Sequence, residues 1–130
     1  MEKKRTKHTH VRVAEHFAVV RPERKLVGDV ETDEFREVVQ QLNEQNLRFL
    51  VVDLGAIDWV SSPGLGALVD AHQRFAKRGA PVLLARLDKR IQNLLILTKL
   101  SLVFDTYPTE QAAIAAGEAL PVKAPADAGE

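Results

Sequence analysis

Hydrophobic residues along this chain follow two alternating rhythms. In HVRVAEHFAVVRP, β-branched residues crowd a stretch that ends at Arg21-Pro22, which predicts two short strands, around Val11–Glu15 and Phe17–Val20. KLVGDVE then turns through Gly28. From Thr32 the spacing becomes helical: Phe35, Val38, Val39 and Leu42 form one apolar stripe. Thr32 is the expected N-cap, Asp33 and Glu34 bring the charge favoured in a first turn, and Asn46 is a plausible stop. FLVVDL, Phe49–Leu54, is a continuous apolar run of the kind a strand buried on both faces requires. After IDWVSSPGLG, a second stripe runs through Leu65, Leu68, Val69, His72, Phe75 and Ala76, and Gly79 closes it. PVLLAR, from Pro81, reads as another buried strand. A third helix runs through Ile91, Leu94, Leu95 and Thr98. A short strand follows over Val103–Tyr107, then an alanine-rich helix capped by Thr109. Strands alternating with helices after an initial strand pair predict an α/β fold, a mixed sheet with helices packed on it.

Composition narrows the function classes. The 130 residues are 45% hydrophobic, enough for one domain with a real core. Lys plus Arg and Asp plus Glu both number 18, so net charge offers no general attraction to nucleic acid or anionic lipid. MEKKRTKHTH is basic without apolar periodicity, and PVKAPADAGE has the composition of a loose tail. The expected organisation is a flexible basic arm over residues 1–10, one domain over 11–120, and a disordered tail over 121–130. The absence of cysteine excludes a disulfide scaffold, a thiol nucleophile and a cysteine zinc site, and fits a reducing cytoplasm. The longest charge-free run, Trp59–Val69, is too short to cross a bilayer, and no apolar stretch follows the basic start as in a secretory signal. The protein is expected to be soluble and cytoplasmic.

The candidate chemistry sits in SSPG. Proline suits a first helical position, which places Ser62 at the N-cap and Pro63 at N1, and a capped helix alone accounts for the pattern. Strand–serine–helix also resembles a hydrolase nucleophile elbow, but Val60 stands where that motif needs glycine. Pro63 also lacks the N–H an oxyanion hole would use. His72 lies ten residues along the same helix, about 15 Å by helical rise. His8 and His10 are a remote metal pair in a basic arm, and no phosphate-binding glycine motif is present. No enzyme, metal or cofactor is implied. The remaining chemistry is modification. A phosphate on Ser62 would meet the positive end of the helix dipole, a gain of roughly 0.3–1 kcal/mol. No Lys or Arg lies between Phe49 and Gln73, while Asp53, Asp58 and Asp70 do, so a partner docked there would face an unpaired dianion. Mismatched buried charge costs about 2–5 kcal/mol at an interface, so phosphorylation should spare the fold and release the partner. Trp59 is either an exposed anchor for that partner or a cover over the strand end.

VVDLGAIDWVSSPGLGALV, VGDVE and LLILTKLSLVFDTYPTEQAA, in this order and spacing, resemble the STAS domain of bacterial anti-sigma-factor antagonists over roughly Val11–Ala116. The resemblance implies a mixed four- to five-stranded sheet with helices packed mainly on one face. It also implies a non-enzymatic switch without cofactor, which binds an anti-sigma factor with serine kinase activity (a histidine-kinase-like ATPase) and is released when phosphorylated. By position the phosphoacceptor is Ser62, with Ser61 as a competitor. The partner surface would comprise Gly28, Asp29, Glu31, Asp58, Trp59, Ser61, Ser62, Pro63, Gly64 and Leu65. The alanine-rich last helix offers a face for weak homodimer formation. The sequence departs from the family pattern at Ser61, where aspartate is frequent, at Pro63, at Glu31 and at Lys99. STAS domains also serve as unphosphorylated scaffolds or as transporter-regulating modules.

Overall fold

Residue parity sorts the hydrophobic side chains onto two faces of one sheet. The structure, a computed structural model, describes residues 2–121. Its elements are β1 (Glu2–Arg5), β2 (Thr9–Val13), β3 (Phe17–Pro22), β4 (Arg24–Leu26), α1 (Val30–Asn43), β5 (Phe49–Asp53), β6 (Ile57–Val60), α2 (Ser62–Ala76), β7 (Val82–Ala85), α3 (Lys89–Leu97), β8 (Thr106–Tyr107) and α4 (Glu110–Glu118). The main sheet has the order β1-β2-β3-β5-β7-β8, antiparallel through the first three strands and parallel from β3 onward. Val20, Leu50, Val52, Val82 and Leu84 meet the stripes of α1, α2 and α3 in the larger core. Phe17, Val19, Phe49, Val51, Leu83 and Ala85 meet α4 through Ala113 on the other face. Phe17 and Phe49 stack at 5.0 Å, and Gly117 of α4 lies so close that a Cβ there would be 2.4 Å from the Phe49 ring. Helices thus cover mainly one face, as expected, and every residue of β5 is buried.

The sheet has six strands where four or five were expected, because the N-terminal edge gains β1. The flexible arm expected over residues 1–10 is, from Glu2 onward, a hairpin: β1 pairs with β2 from Glu2↔Val13 to Arg5↔His10. Arg5 also meets Glu23 at 3.1 Å, and Glu34 of α1 holds the turn by accepting from the Thr6 hydroxyl and, at 2.5 Å, from the His8 N–H. A charged edge strand buries little, so it leaves no hydrophobic rhythm to read. The tail expected over 121–130 lies, beyond Pro121, outside the described residues. At the other edge the strand expected over Val103–Tyr107 shrinks to β8, after a 3₁₀ turn at Leu100–Leu102 entered through left-handed Lys99. Thr109 caps α4 as expected. Thr32 does not cap α1. Asp29 does, accepting from the Glu31 N–H at 3.2 Å, while buried Thr32 takes the Gly28 N–H at 2.9 Å from within the first turn.

A second, two-stranded sheet, β4 parallel to β6, positions the serine turn, and IDWV gave no sign of it. The Leu26 carbonyl accepts from the Ser61 N–H at 3.0 Å, and α2 starts hard against it. A Cβ on Gly64 would fall 1.9 Å from the Leu26 oxygen, and one on Gly28 (φ 93°) would fall 2.8 Å from the Pro63 Cβ. Only glycine lets the helix sit this close. Gly66, by contrast, has room: its Cβ would meet only the Arg36 Nη2, at 3.6 Å.

Asp53, fully buried at the end of β5, anchors the chain that leads into this turn. It accepts from the Gly55 N–H at 2.8 Å and from the Arg86 Nε at 2.9 and 3.0 Å. Desolvation opposes its ionisation, but hydrogen bonds with Glu110, Arg86 and Gly55 outweigh that and hold its carboxyl below the ordinary 3.8. Glu110, which pairs with Arg12, is pushed above 4.5 by burial and then by the hydrogen bond and charge of Asp53.

Two stability predictions follow from this packing. Gly64→Ala should lower unfolding free energy by about 3 kcal/mol, the upper end of overpacking costs, whereas Gly66→Ala should raise it by roughly 0.5–1 kcal/mol, both read by urea titration. Asp53→Asn should cost about 3 kcal/mol, at the low end for a broken buried pair because half-exposed Arg86 can turn to water. The depressed Asp53 contributes stability that is present above 3.8 and lost as pH falls through its native value. The raised Glu110 has the opposite sign: its contribution is present below 4.5 and lost as pH rises through its native value. Asp53→Asn should therefore flatten the loss of stability below pH 3.8, measured as unfolding free energy against pH.

Candidate functional site

The backbone of the serine turn decides which hydroxyl faces outward. Ser61 is extended (φ −98°, ψ −177°) and is itself the N-cap of α2; its carbonyl accepts the first helical bond from the Leu65 N–H at 2.8 Å. Ser62 is the first helical residue and Pro63 the second, one place later than expected, since proline costs no hydrogen bond anywhere in a first turn. The Ser61 Oγ makes no cap bond and is buried without a partner. Ser62 is exposed.

The predicted surface residues divide in the same way. Gly28, Asp58, Ser62 and Pro63 are exposed, Asp29 is partly so, and Gly28 touches Pro63. Burial opposes ionisation of Asp29, but hydrogen bonds from Glu31 and from the Thr32 N–H hold its carboxyl below 3.8, so the loop keeps a negative charge. Glu31, Gly64 and Leu65 are buried. Glu31 turns to Arg24 at 3.3 Å, and the other two seat the helix. Trp59 is 42% exposed on β6, with the Arg90 guanidinium 5.8 Å above its ring and the Arg90 Nη2 donating to the Asp58 carbonyl at 2.6 Å. A cation–π contact of this kind holds an indole upright at the surface.

Three features of the neighbourhood carried no sequence signal. Arg90 reaches Trp59 from the start of α3. Val30, 66% exposed, adds an apolar side chain beside the Gly28 loop. Arg36, from α1, lies over Gly66 and 3.5 Å from Asp70, so a guanidinium does stand one turn below Ser62 although none lies nearby in sequence. Farther off, Leu97 and Leu102 are exposed at the end of α3 and in the 3₁₀ turn. His8 and His10 face Glu34 and Glu23 at 3.2 and 2.8 Å rather than each other, and no group of metal-ligating residues exists among the described residues. His72 packs edge-on against Phe104 at 5.6 Å, a packing role. One hollow of about 660 Å³ lies along the C-terminal half of α2 and another of about 820 Å³ between the loops that precede β5 and β7 and the end of α4, and the serine turn lines neither. Among the described residues no helix is long and apolar enough to cross a membrane.

Solved structures share this fold. An anti-sigma factor antagonist from Mycobacterium paratuberculosis superposes with a TM-score of 0.74 at 22% identity, covering 85% of this chain and 92% of that one. The Bacillus cell fate determinant SpoIIAA in its phosphorylated form gives 0.66 at 15% identity, over 83% and 97%. The STAS domain of a SulP transporter from Vibrio cholerae gives 0.66 at 19% identity, over 82% and 84%. At these identities the likeness is one of fold. No curated protein matches the sequence. A family model for the STAS domain matches residues 8–113, from the β1–β2 turn into α4. The chain belongs to the STAS domain family.

Proposed function

We propose that the chain is an anti-sigma-factor antagonist. It binds an anti-sigma factor with serine kinase activity, of histidine-kinase-like ATPase fold, while Ser62 is free, and lets go once Ser62 carries phosphate, thereby regulating transcription in the cytoplasm. The observation that carries this reading is the exposed Ser62 at the first position of α2, beside a Ser61 whose hydroxyl is buried. An incoming kinase reaches the first and not the second. The docking surface is the exposed part of the expected set (Gly28, Asp29, Asp58, Trp59, Ser62 and Pro63), extended by Val30 and Arg90. Glu31, Ser61, Gly64 and Leu65 support it from beneath. A phosphate at the helix start gains roughly 0.3–1 kcal/mol from the dipole, whereas a docked protein loses about 2–5 kcal/mol by facing it, so the modification acts on binding rather than on folding.

Likeness to a transporter's STAS domain favours a second reading, in which the same surface binds a partner without phosphorylation. Incubation with candidate kinases and ATP, followed by mass mapping, separates the two. Label is expected on Ser62, lost in Ser62→Ala and kept in Ser61→Ala. Ser62→Asp should weaken partner binding by about 2 kcal/mol, roughly thirtyfold, with the melting temperature unchanged. Trp59→Ala should cost about 2 kcal/mol of affinity as an anchor residue. Absence of label with every kinase, together with full binding by Ser62→Asp, would transfer the case to the second reading.

A further inference from the structure

Ser62, Gly66, Asp70 and Arg74 stand four residues apart on α2 and make one ridge, each about 6 Å along the axis from the next. Arg36 lies against the middle of that ridge. Its Nη2 is 3.6 Å from where a Gly66 Cβ would stand, with no other side chain near that point, and its Nη1 is 3.5 Å from the Asp70 Oδ2. Asp70 has a closer partner in Arg74, whose Nε donates to the same oxygen at 2.9 Å. The Arg36 side chain is 41% exposed, so its long, shared contact with Asp70 holds it weakly. A loosely held guanidinium thus lies over Gly66, one helical turn from Ser62 on the same ridge.

We propose that Arg36 is the built-in counter-charge for a phosphate on Ser62, leaving Asp70 to Arg74 and moving up the ridge across Gly66. The inference rests on Ser62 being the modified residue and adds how the charge is received. A phosphate dianion outcompetes a carboxylate that already has a partner, and the planar guanidinium can grip two of its oxygens. Gly66 is what keeps the path open, because any longer side chain there would stand between the two groups. One cation against a group of charge near −2 leaves the turn negative, which is consistent with release. The pair also occupies phosphate oxygens that a partner's own cations would otherwise engage, so a partner cannot readily rebind through them.

The test installs phosphoserine at position 62 during translation, in the full chain, and follows its second ionisation by ³¹P NMR titration. The phosphoserine pKa should be lower than in Arg36→Met by about half a unit or more, roughly threefold in proton affinity, since a nearby cation favours the dianion. Arg74→Met, which hands Asp70 back to Arg36, should raise the value toward that of Arg36→Met. Far-UV circular dichroism checks that these surface variants fold. Equal pKa values in the unsubstituted protein and in Arg36→Met would overturn the proposal. Because no kinase is involved, that failure would leave the reading of Ser62 as a kinase target standing, and a failure of every kinase to label Ser62 would leave the titration result standing.

Discussion

The carbonyl of Leu26 is the point on which the serine turn depends. It accepts the Ser61 N–H at 3.0 Å and lies where a Gly64 side chain would begin, so β4 fixes both the end of β6 and the start of α2. With Ser61 held extended by that bond, its hydroxyl points into the fold and loses its partner, while the next residue enters the helix facing water. An unpartnered buried hydroxyl costs free energy, of the order of 1–3 kcal/mol. The turn carries that cost while keeping helix and small sheet in contact. Exposure of Ser62 follows from backbone placement: the seat beneath it sets which hydroxyl a kinase would meet.

That seat needs a rigid approach, which Asp53 provides from the other end of the same segment. Its carboxylate ties the end of β5 to Arg86 after β7 and, through Glu110, to the start of α4, so three elements that contribute nothing to the exposed surface hold its base. Buried ion pairs are poor sources of net stability but strict about geometry. That strictness steadies the segment on which Trp59, Ser62 and Pro63 stand exposed.

Elements that bury a full face were legible in the sequence. The α1 stripe of Phe35, Val38, Val39 and Leu42 is buried, FLVVD is the wholly buried central strand, and Thr109 caps α4. What escaped is what does not depend on burial. β1 is held by ladder bonds and ion pairs, so its Lys-rich sequence reads as an arm. β4 and β6 are too short and too irregular in burial to show a period. The one-residue shift at α2 arose because Ser61 and Ser62 are chemically alike. Only the contact with Leu26, distant in sequence, decides between them.

Cations near the serine were the least legible, for a geometric reason. A window of sequence sees only one stretch of chain, and between Phe49 and Gln73 that stretch shows carboxylates alone. A helical ridge, however, is neighboured by another helix, and α1 runs close enough to α2 to lay Arg36 across Gly66. Zero net charge overall therefore says little about the potential at one hydroxyl. That is set by whether the few charges within one Debye length, about 8 Å at physiological salt, are committed to stronger partners. Here Arg74 commits Asp70 at 2.9 Å and leaves Arg36 the weaker, longer contact. A charge added at the top of the ridge would therefore meet a cation that is present and only loosely engaged, and under the proposal made above the fold would absorb the modification without exposing its core.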